Sequence, residues 1–455
     1  MIKKILASTL IPLIRALLHC FFRQIEVSHL DRAPEDGPLI FTPNHMNSLI
    51  DGFLAVAFLP RNPRPLANAT LWNNPLVKPL LVSVKAISVH RQQDVSKTVD
   101  SDSSSSVDNA SMFETCYKVL AEHSSILLFP EGKSHDLPEI QPLKTGTARI
   151  ALAAEAKYKG LGCRIVPVGI TFDAKHKFRS KVLINIGEPI DPLQGLPEEN
   201  FEDSESVIQL TESILDGIKS VTLNYPSWEE GNYLKRAAEL CVSPPGTGIG
   251  KSKLADIFPL HKQLADIYPV FKQAEPLKAE RLLKAVKSYD RLLKVLSIEH
   301  DQIVKEHPSL LNIIYNLRKL SLFLIRLPLS LLGLLLNIVP FYLIRLTGYF
   351  QPRSDRKSTT KLIVSVFLFP ILWTVESMLL GRIAFSTSIW WFLAPISGVA
   401  SIMFIERHNQ IWEELSAYLK HHSKAEIQDE LEERLEKVKM EVEELLAVAR
   451  EQESN

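Results

Sequence analysis

Cysteine is scarce and scattered. Cys20, Cys116, Cys163 and Cys241 stand far apart in 455 residues, with no Cys-x-x-Cys pair. That spacing excludes a disulfide scaffold and a closed zinc site, so no metal is expected. Net charge is lacking too, since 52 basic side chains balance 52 acidic ones. A chain without a basic excess does not coat nucleic acid, and none is expected as a partner. Disorder is excluded by the composition, 46% hydrophobic against 23% charged. No internal repeat is present, which excludes solenoids. A phosphate-binding P-loop is also wanting. In Pro245–Ser252 (PGTGIGKS) a proline stands where the pattern needs its first glycine, and no strand precedes it.

The balance of charge hides an asymmetry. Residues 406–455 hold 14 acidic and 7 basic side chains, leaving 38 acidic and 45 basic ones before them. A mildly basic body suits an anionic partner such as a phosphate or a lipid surface.

Apolar residues are concentrated near the C-terminus. Residues 362–381 and 383–405 are each about as long as the roughly 20 apolar residues that cross a bilayer. The run 320–346 carries Pro328 and Pro340 and has basic residues at both ends, which predicts a bent hairpin that re-enters the same face. Membrane region 310–405 is therefore expected to hold one hairpin and two spans, with membrane lipid as a partner. This makes the chain an integral membrane protein with its N-terminal domain and tail cytoplasmic. Residues 1–34 hold an apolar stretch with Arg15 at its middle and no signal-peptide cleavage site, which predicts an interfacial helix.

Residues 35–200 read as α/β. Short β-rich runs at 38–42, 87–90, 125–129, 165–172 and 182–186 alternate with helical stretches at 112–122 and 146–159. Alternation of this kind implies a sheet covered by helices. The polar stretch 94–111 reads as a loop, and 201–309 as a helical region broken at 243–253. In the tail 406–455, Leu431, Leu435, Val438, Val442 and Leu445 form a heptad seam. Through 427–449 that seam serves either coiled-coil self-association or a fold-back onto its own domain.

Four strand ends in the α/β region carry polar groups. Thr42-Pro43-Asn44-His45 turns into a helix, with Asp51 six residues after His45. An acid there can reach one imidazole nitrogen and leave the other as a general base, although a structural histidine with a capping acid fits as well. Phe129-Pro130-Glu131-Gly132-Lys133-Ser134-His135-Asp136 follows another strand, and Gly132 suits close approach to a ligand. Arg91 follows the strand at 86–90, and Lys144 precedes a helix at Gly146. Either can hold an anion, and either can be a plain surface cation. Strand ends on one side of such a sheet form the usual ligand crevice.

Taken in order, these blocks resemble the glycerolipid acyltransferase family with the His-x4-Asp motif. Asn44-His45…Asp51, Ala86–Arg91, Phe129–Gly132 and Val166-Pro167-Val168-Gly169 look like its four blocks. Five residues, not four, separate His45 from Asp51. That departure, together with Asn47, Glu131–Asp136, Pro142–Gly146 and His176–Ser180, is similar to the yeast-type glycerol-3-phosphate/dihydroxyacetone-phosphate acyltransferases. Relatives that acylate lysophosphatidic acid carry arginine where Ser134 stands.

The resemblance implies a glycerol-3-phosphate acyltransferase-like fold and an O-acyltransferase of phospholipid biosynthesis. Acyl-CoA or acyl carrier protein would be the co-substrate, with no cofactor, and the acceptor glycerol-3-phosphate or dihydroxyacetone phosphate. A lysophospholipid acceptor is the alternative, and a non-catalytic lipid-binding scaffold a second one. It implies His45 as base and Asp51 as its orienting acid. Arg91, Lys133 and Lys144 would hold the acceptor phosphate, and Glu131, Gly132 and Ser134 would line the acceptor site. Backbone N–H groups near Glu131 and Gly132 are expected to stabilise the oxyanion.

Overall fold

The computed structural model describes residues 2–75, 77–90, 104–196, 203–243, 252–296, 300, 310–421 and 425–453. Arg91 and the P-loop-like stretch 245–250 lie outside them. The chain divides into two compact units, residues 1–224 with 354–358, and residues 225–353 with 359–455.

The first unit is built on a seven-stranded sheet in the order β1-β7-β6-β2-β5-β3-β4. Its strands are β1 (Phe22–Ser28), β2 (Leu39–Pro43), β3 (Arg64–Asn68), β4 (Ile87–Val89), β5 (Ser125–Leu127), β6 (Arg164–Phe172) and β7 (Ser180–Ile186). All neighbours are parallel except β6 and β7. The carboxyl ends of β2, β3, β4, β5 and β6 therefore share one edge. Helices α4 (Ser104–Ala121), α5 (Gly146–Lys157) and α6 (Ser204–Val221) bury Val119, Leu120, Ala151, Leu210 and Ile214 in one core with Ile40, Ile126 and Ile165. Strands buried this way read as apolar runs, which is why β2, β5 and β6 were visible in the sequence.

Two strands were not. β1 carries Arg23 and Glu26 and follows helix α1 (Ile2–Phe21) without a break, so nothing in its composition marks a strand. β3 contains Pro65, which argues against a strand by removing a ladder donor. The sheet therefore starts at Phe22 and not at residue 35. α1, expected as an interfacial helix, buries Ile14, Leu18 and Phe21 and packs on α2 (Leu49–Phe58) and α3 (Lys78–Ser83). Arg15 donates from Nε to the carbonyl of Ala57 at 2.7 Å, satisfying a last-turn carbonyl of α2. Residues 104–111, expected as loop, are the first turns of α4.

The second unit is helical. In it α7 (Trp228–Val242), α8 (Leu254–Ala274), α9 (Pro276–Leu296) and α13 (Ala425–Glu453) pack together. The heptad seam Leu431, Leu435, Val438, Val442 and Leu445 is buried in that bundle. Its apolar face is thus covered from within the chain, the fold-back arrangement that the seam also allowed. Lys278 and Arg281 on α9 pair with Glu444 on α13.

Among the described residues, three segments are long and apolar enough to cross a membrane: 327–350 of α10 (Leu310–Phe350), 354–380 ending in α11 (Lys357–Leu380), and 387–406 of α12 (Thr387–His421). The hairpin expected at 320–346 does not form. α10 is one helix of 41 residues with both prolines inside it. A proline removes a single backbone donor, and here that does not end the helix. α10 meets α12 closely at small residues: a Cβ on Gly333 would lie 1.9 Å from the carbonyl oxygen of Ser397. Asn337 Nδ2 donates to the carbonyls of Gly333 (2.8 Å) and Ala394 (3.2 Å), and Trp373 Nε1 donates to Asn337 Oδ1 (2.9 Å).

Candidate active site

His45 lies just past β2, at the shared edge of strand ends. Asn44 fixes the exit of that strand, since its side chain donates to the carbonyl of Ile170 (3.2 Å) and accepts from the Ile170 amide (2.7 Å). Ser48, at φ 51°, then turns the chain into α2, whose first turn carries Asp51. A non-glycine residue in that region costs about 1–3 kcal/mol and is met where a site over-determines the backbone.

The His45 ring is held on two sides. Nδ1–H donates to Asp51 Oδ2 at 3.0 Å, and the ring stacks on Phe129 with centroids 4.0 Å apart. The Asn47 amide donates to the same Asp51 oxygen at 2.6 Å. Because an ionised carboxylate only accepts, Nδ1 carries the proton and Nε2 presents its lone pair. No described residue occupies Nε2, and the His45 side chain is 14% exposed while that of Asp51 is fully buried. Burial pushes the Asp51 carboxyl above the usual range, against the pull of His45, the Asn47 amide and Lys175. The pair is thus a base of free geometry whose acid partner is kept from water.

The turn after β5 is wired to His45. Glu131, buried, accepts the His45 amide on Oε1 at 2.7 Å and the Gln141 amide on Oε2 at 2.9 Å. His135 Nε2 also meets Oε2. Both carboxylate oxygens are therefore committed, and Glu131 holds the turn. Gly132 sits at φ +72°, and a Cβ there would lie 2.8 Å from Cε of Lys144. Its amide donates to the carbonyl of Phe129 at 2.9 Å. That corrects the expectation of an oxyanion-binding N–H at Gly132. The glycine is needed for its backbone and for the space in which Lys144 lies.

Ser134 is likewise engaged, its hydroxyl donating to Asp355. The segment Ser354–Ser358 belongs to this unit. Ser354 Oγ is 2.9 Å from His176 Nε2, and Ser358 donates to the carbonyl of Lys175. Lys175 pairs with Asp136 and faces the carbonyl of Met46 at 3.4 Å. Burial raises the Asp136 carboxyl, but Lys175 and Ser354 outweigh it and hold it below the usual range. Lys133 and Lys144 are exposed, and neither ammonium makes an ion pair among the described residues.

Of the expected site residues, the structure thus brings His45, Asp51, Glu131, Gly132 and Lys144 to one edge, with Ser134 turned to Asp355. Sequence reasoning gave no role to Lys175, to the Phe129 ring, or to the segment 354–358. Lys175 stands one residue before the His176–Ser180 stretch already singled out, which was a usable signal. Nothing local links 355 to 134. Among the described residues no group of acids, histidines and cysteines could hold a metal. Burial raises the Cys116 thiol to about 12 and lifts that of Cys163 as well, which makes both poor nucleophiles.

A His–Asp pair of this geometry can take a proton from a hydroxyl. Residues 24–171 match the model of the acyltransferase family. Among named relatives it is 30% identical over 295 residues to glycerol-3-phosphate O-acyltransferase 2 of Saccharomyces cerevisiae, covering 60% of this chain and 38% of that protein. It is 25% identical over 310 residues to glycerol-3-phosphate O-acyltransferase 1 of the same yeast, covering 50% and 40%. The chain thus spans well under half the length of these curated relatives. The solved 1-acyl-sn-glycerophosphate (LPA) acyltransferase PlsC of Thermotoga maritima gives a TM-score of 0.33 at 19% identity, over 47% of this chain and 80% of that one.

Proposed function

We propose that the chain transfers a fatty acyl group from an acyl thioester, acyl-CoA or acyl carrier protein, to the hydroxyl of glycerol-3-phosphate or dihydroxyacetone phosphate. The observation that carries this reading is the open Nε2 of His45, backed by buried Asp51, in an acyltransferase-family domain. The acceptor hydroxyl gives its proton to His45 Nε2 as its oxygen attacks the thioester carbon. Asp51 stabilises the imidazolium that forms. Collapse of the tetrahedral intermediate breaks the C–S bond, and the proton passes from His45 to the leaving thiolate. A thioester needs no further activation for this step. Lys144 and Lys133, with Arg91, are the cations assigned to the acceptor phosphate.

The apolar helices fit a membrane anchor, since both acyl donor chain and product partition into lipid. The orientation consistent with a soluble thioester donor places the His45 unit on the cytoplasmic face. Purified protein would be assayed with acyl-CoA and, side by side, glycerol-3-phosphate, dihydroxyacetone phosphate and lysophosphatidic acid. Labelled product from either of the first two, and its absence in His45→Ala, supports the reading. Transfer to lysophosphatidic acid alone would reassign the acceptor, and no transfer to any of them would overturn the activity. Protection of the His45 unit from added protease in sealed cells, and its cleavage in inverted vesicles, tests the orientation.

A further inference from the structure

We infer that His135 is a positioning residue that pins the base His45 through the Glu131 carboxylate, a role that rests on the proposed acyl transfer only in so far as His45 is its base. The Leu137 amide donates to His135 Nδ1 at 3.1 Å. An N–H can donate only to an unprotonated ring nitrogen, so the proton of this imidazole sits on Nε2. That Nε2–H donates to Glu131 Oε2, while Glu131 Oε1 accepts the His45 amide. Both partners are buried, with side chains 7% and 0% exposed. The backbone amide of His135 also donates to the carbonyl of His45 at 3.2 Å. His45 is therefore gripped by one turn at both backbone groups, its N–H by Glu131, which the His135 ring holds, and its C=O by the His135 amide.

Neither ring nitrogen of His135 remains open, so it is no second base. Its work is on Glu131. A buried carboxylate needs donors, and His135 is the one side chain among the three groups that satisfy it. Without that donor Glu131 is drawn towards water, and the His45 amide loses a fixed acceptor. The ring would still meet Asp51, but from a backbone held by this turn at its carbonyl alone. Displacements of about 1 Å at a reacting group cost up to about 100-fold in rate.

The test compares the full-length wild type, His135→Ala and His135→Gln, whose side-chain amide restores a donor to Glu131. Hydrogen–deuterium exchange at the His45 amide should quicken about tenfold in His135→Ala and return towards wild type in His135→Gln. In the acyl-transfer assay His135→Ala should lower kcat about 10–100-fold, with KM for donor and acceptor little changed, and His135→Gln should recover most of it. Unchanged His45 exchange in His135→Ala would overturn the inference, as would His135→Gln behaving like His135→Ala in both measurements. A wild type that transfers to no acceptor while the exchange pattern holds would defeat the proposed activity and leave the positioning role standing.

Discussion

In the sheet unit, His45 has one ring nitrogen bound to a buried acid and the other open. In the helical unit, His261 and His300 are buried and closed. His261 Nε2 lies 2.6 Å from the Tyr225 hydroxyl, and its ring makes a further hydrogen bond with the Gly231 backbone. His300 accepts from the Tyr289 hydroxyl on Nδ1 (2.7 Å) and donates from Nε2 to the carbonyl of Ser243 (2.9 Å). Both kinds of site satisfy the rule that buried polar groups need partners. The difference teaches where chemistry can occur: a ring with both nitrogens taken can only hold structure, and one with a free lone pair can take a proton. Burial drives the two in different directions as well. It lowers the His261 imidazole to about 3, and it raises the Asp51 carboxyl while His45 restrains it.

The contrast breaks most sharply at His45. His45→Ala should cut acyl transfer about 10²–10⁴-fold while the protein stays folded. Retained turnover would show that the open nitrogen is not the base.

Asp51→Asn separates rate from stability. A carboxyl raised by burial favours folding in its neutral form, and that contribution is present below its unfolded value of 3.8 and lost as pH rises through the folded value. At neutral pH the ionised acid thus works against the fold. The amide should lower kcat strongly and leave stability unchanged or higher, as measured by denaturant unfolding beside the transfer assay. In the wild type the acid limb of kcat should lie above the ordinary carboxylate range, and a flat acid limb would remove Asp51 from the mechanism.

On the helical side the effects are on stability alone. The His261 imidazole is depressed from 6.5 to about 3, so the unfolded state binds the proton first on acidification. Stability from this group is full above pH 6.5 and falls by up to about 1.4 kcal/mol per pH unit below it. His261→Leu should flatten that slope and leave the Tyr225 hydroxyl orphaned, at a cost of about 1–3 kcal/mol at neutral pH. KM and kcat should stay as in wild type, and a change in either would mean that the closed histidine serves the reaction after all.

Gly132→Ala gives the smallest contrast. At φ +72° with Lys144 over it, an alanine costs about 1–2 kcal/mol of backbone strain and moves a flexible side chain. KM for the phosphorylated acceptor should rise more than KM for the thioester. Equal rises would show that Lys144 serves only the turn.

Much of this was legible locally. Apolar runs at 125–127 and 164–172 mark buried strands because both of their faces are covered, and the 3.5-residue seam of 431–445 marks a helix with one apolar face. His45 and Asp51 share a strand–turn–helix, so their spacing of six could be read directly. Covalent order and hydrophobic pattern were enough for these, since the interacting atoms lie within a few residues or one periodicity. The sequence alone did not show that the seam closes within the chain, that 310–350 runs through two prolines, or that β1 pairs with a strand about 160 residues later. Nor did it show that Glu131 spends both oxygens on the backbone around His45, or that Ser134 is claimed by Asp355, 221 residues away. Each of these is a choice between partners of similar chemistry. What settles it is which donor or apolar face the folded chain brings within reach once solvent is excluded, and that is a property of the tertiary structure.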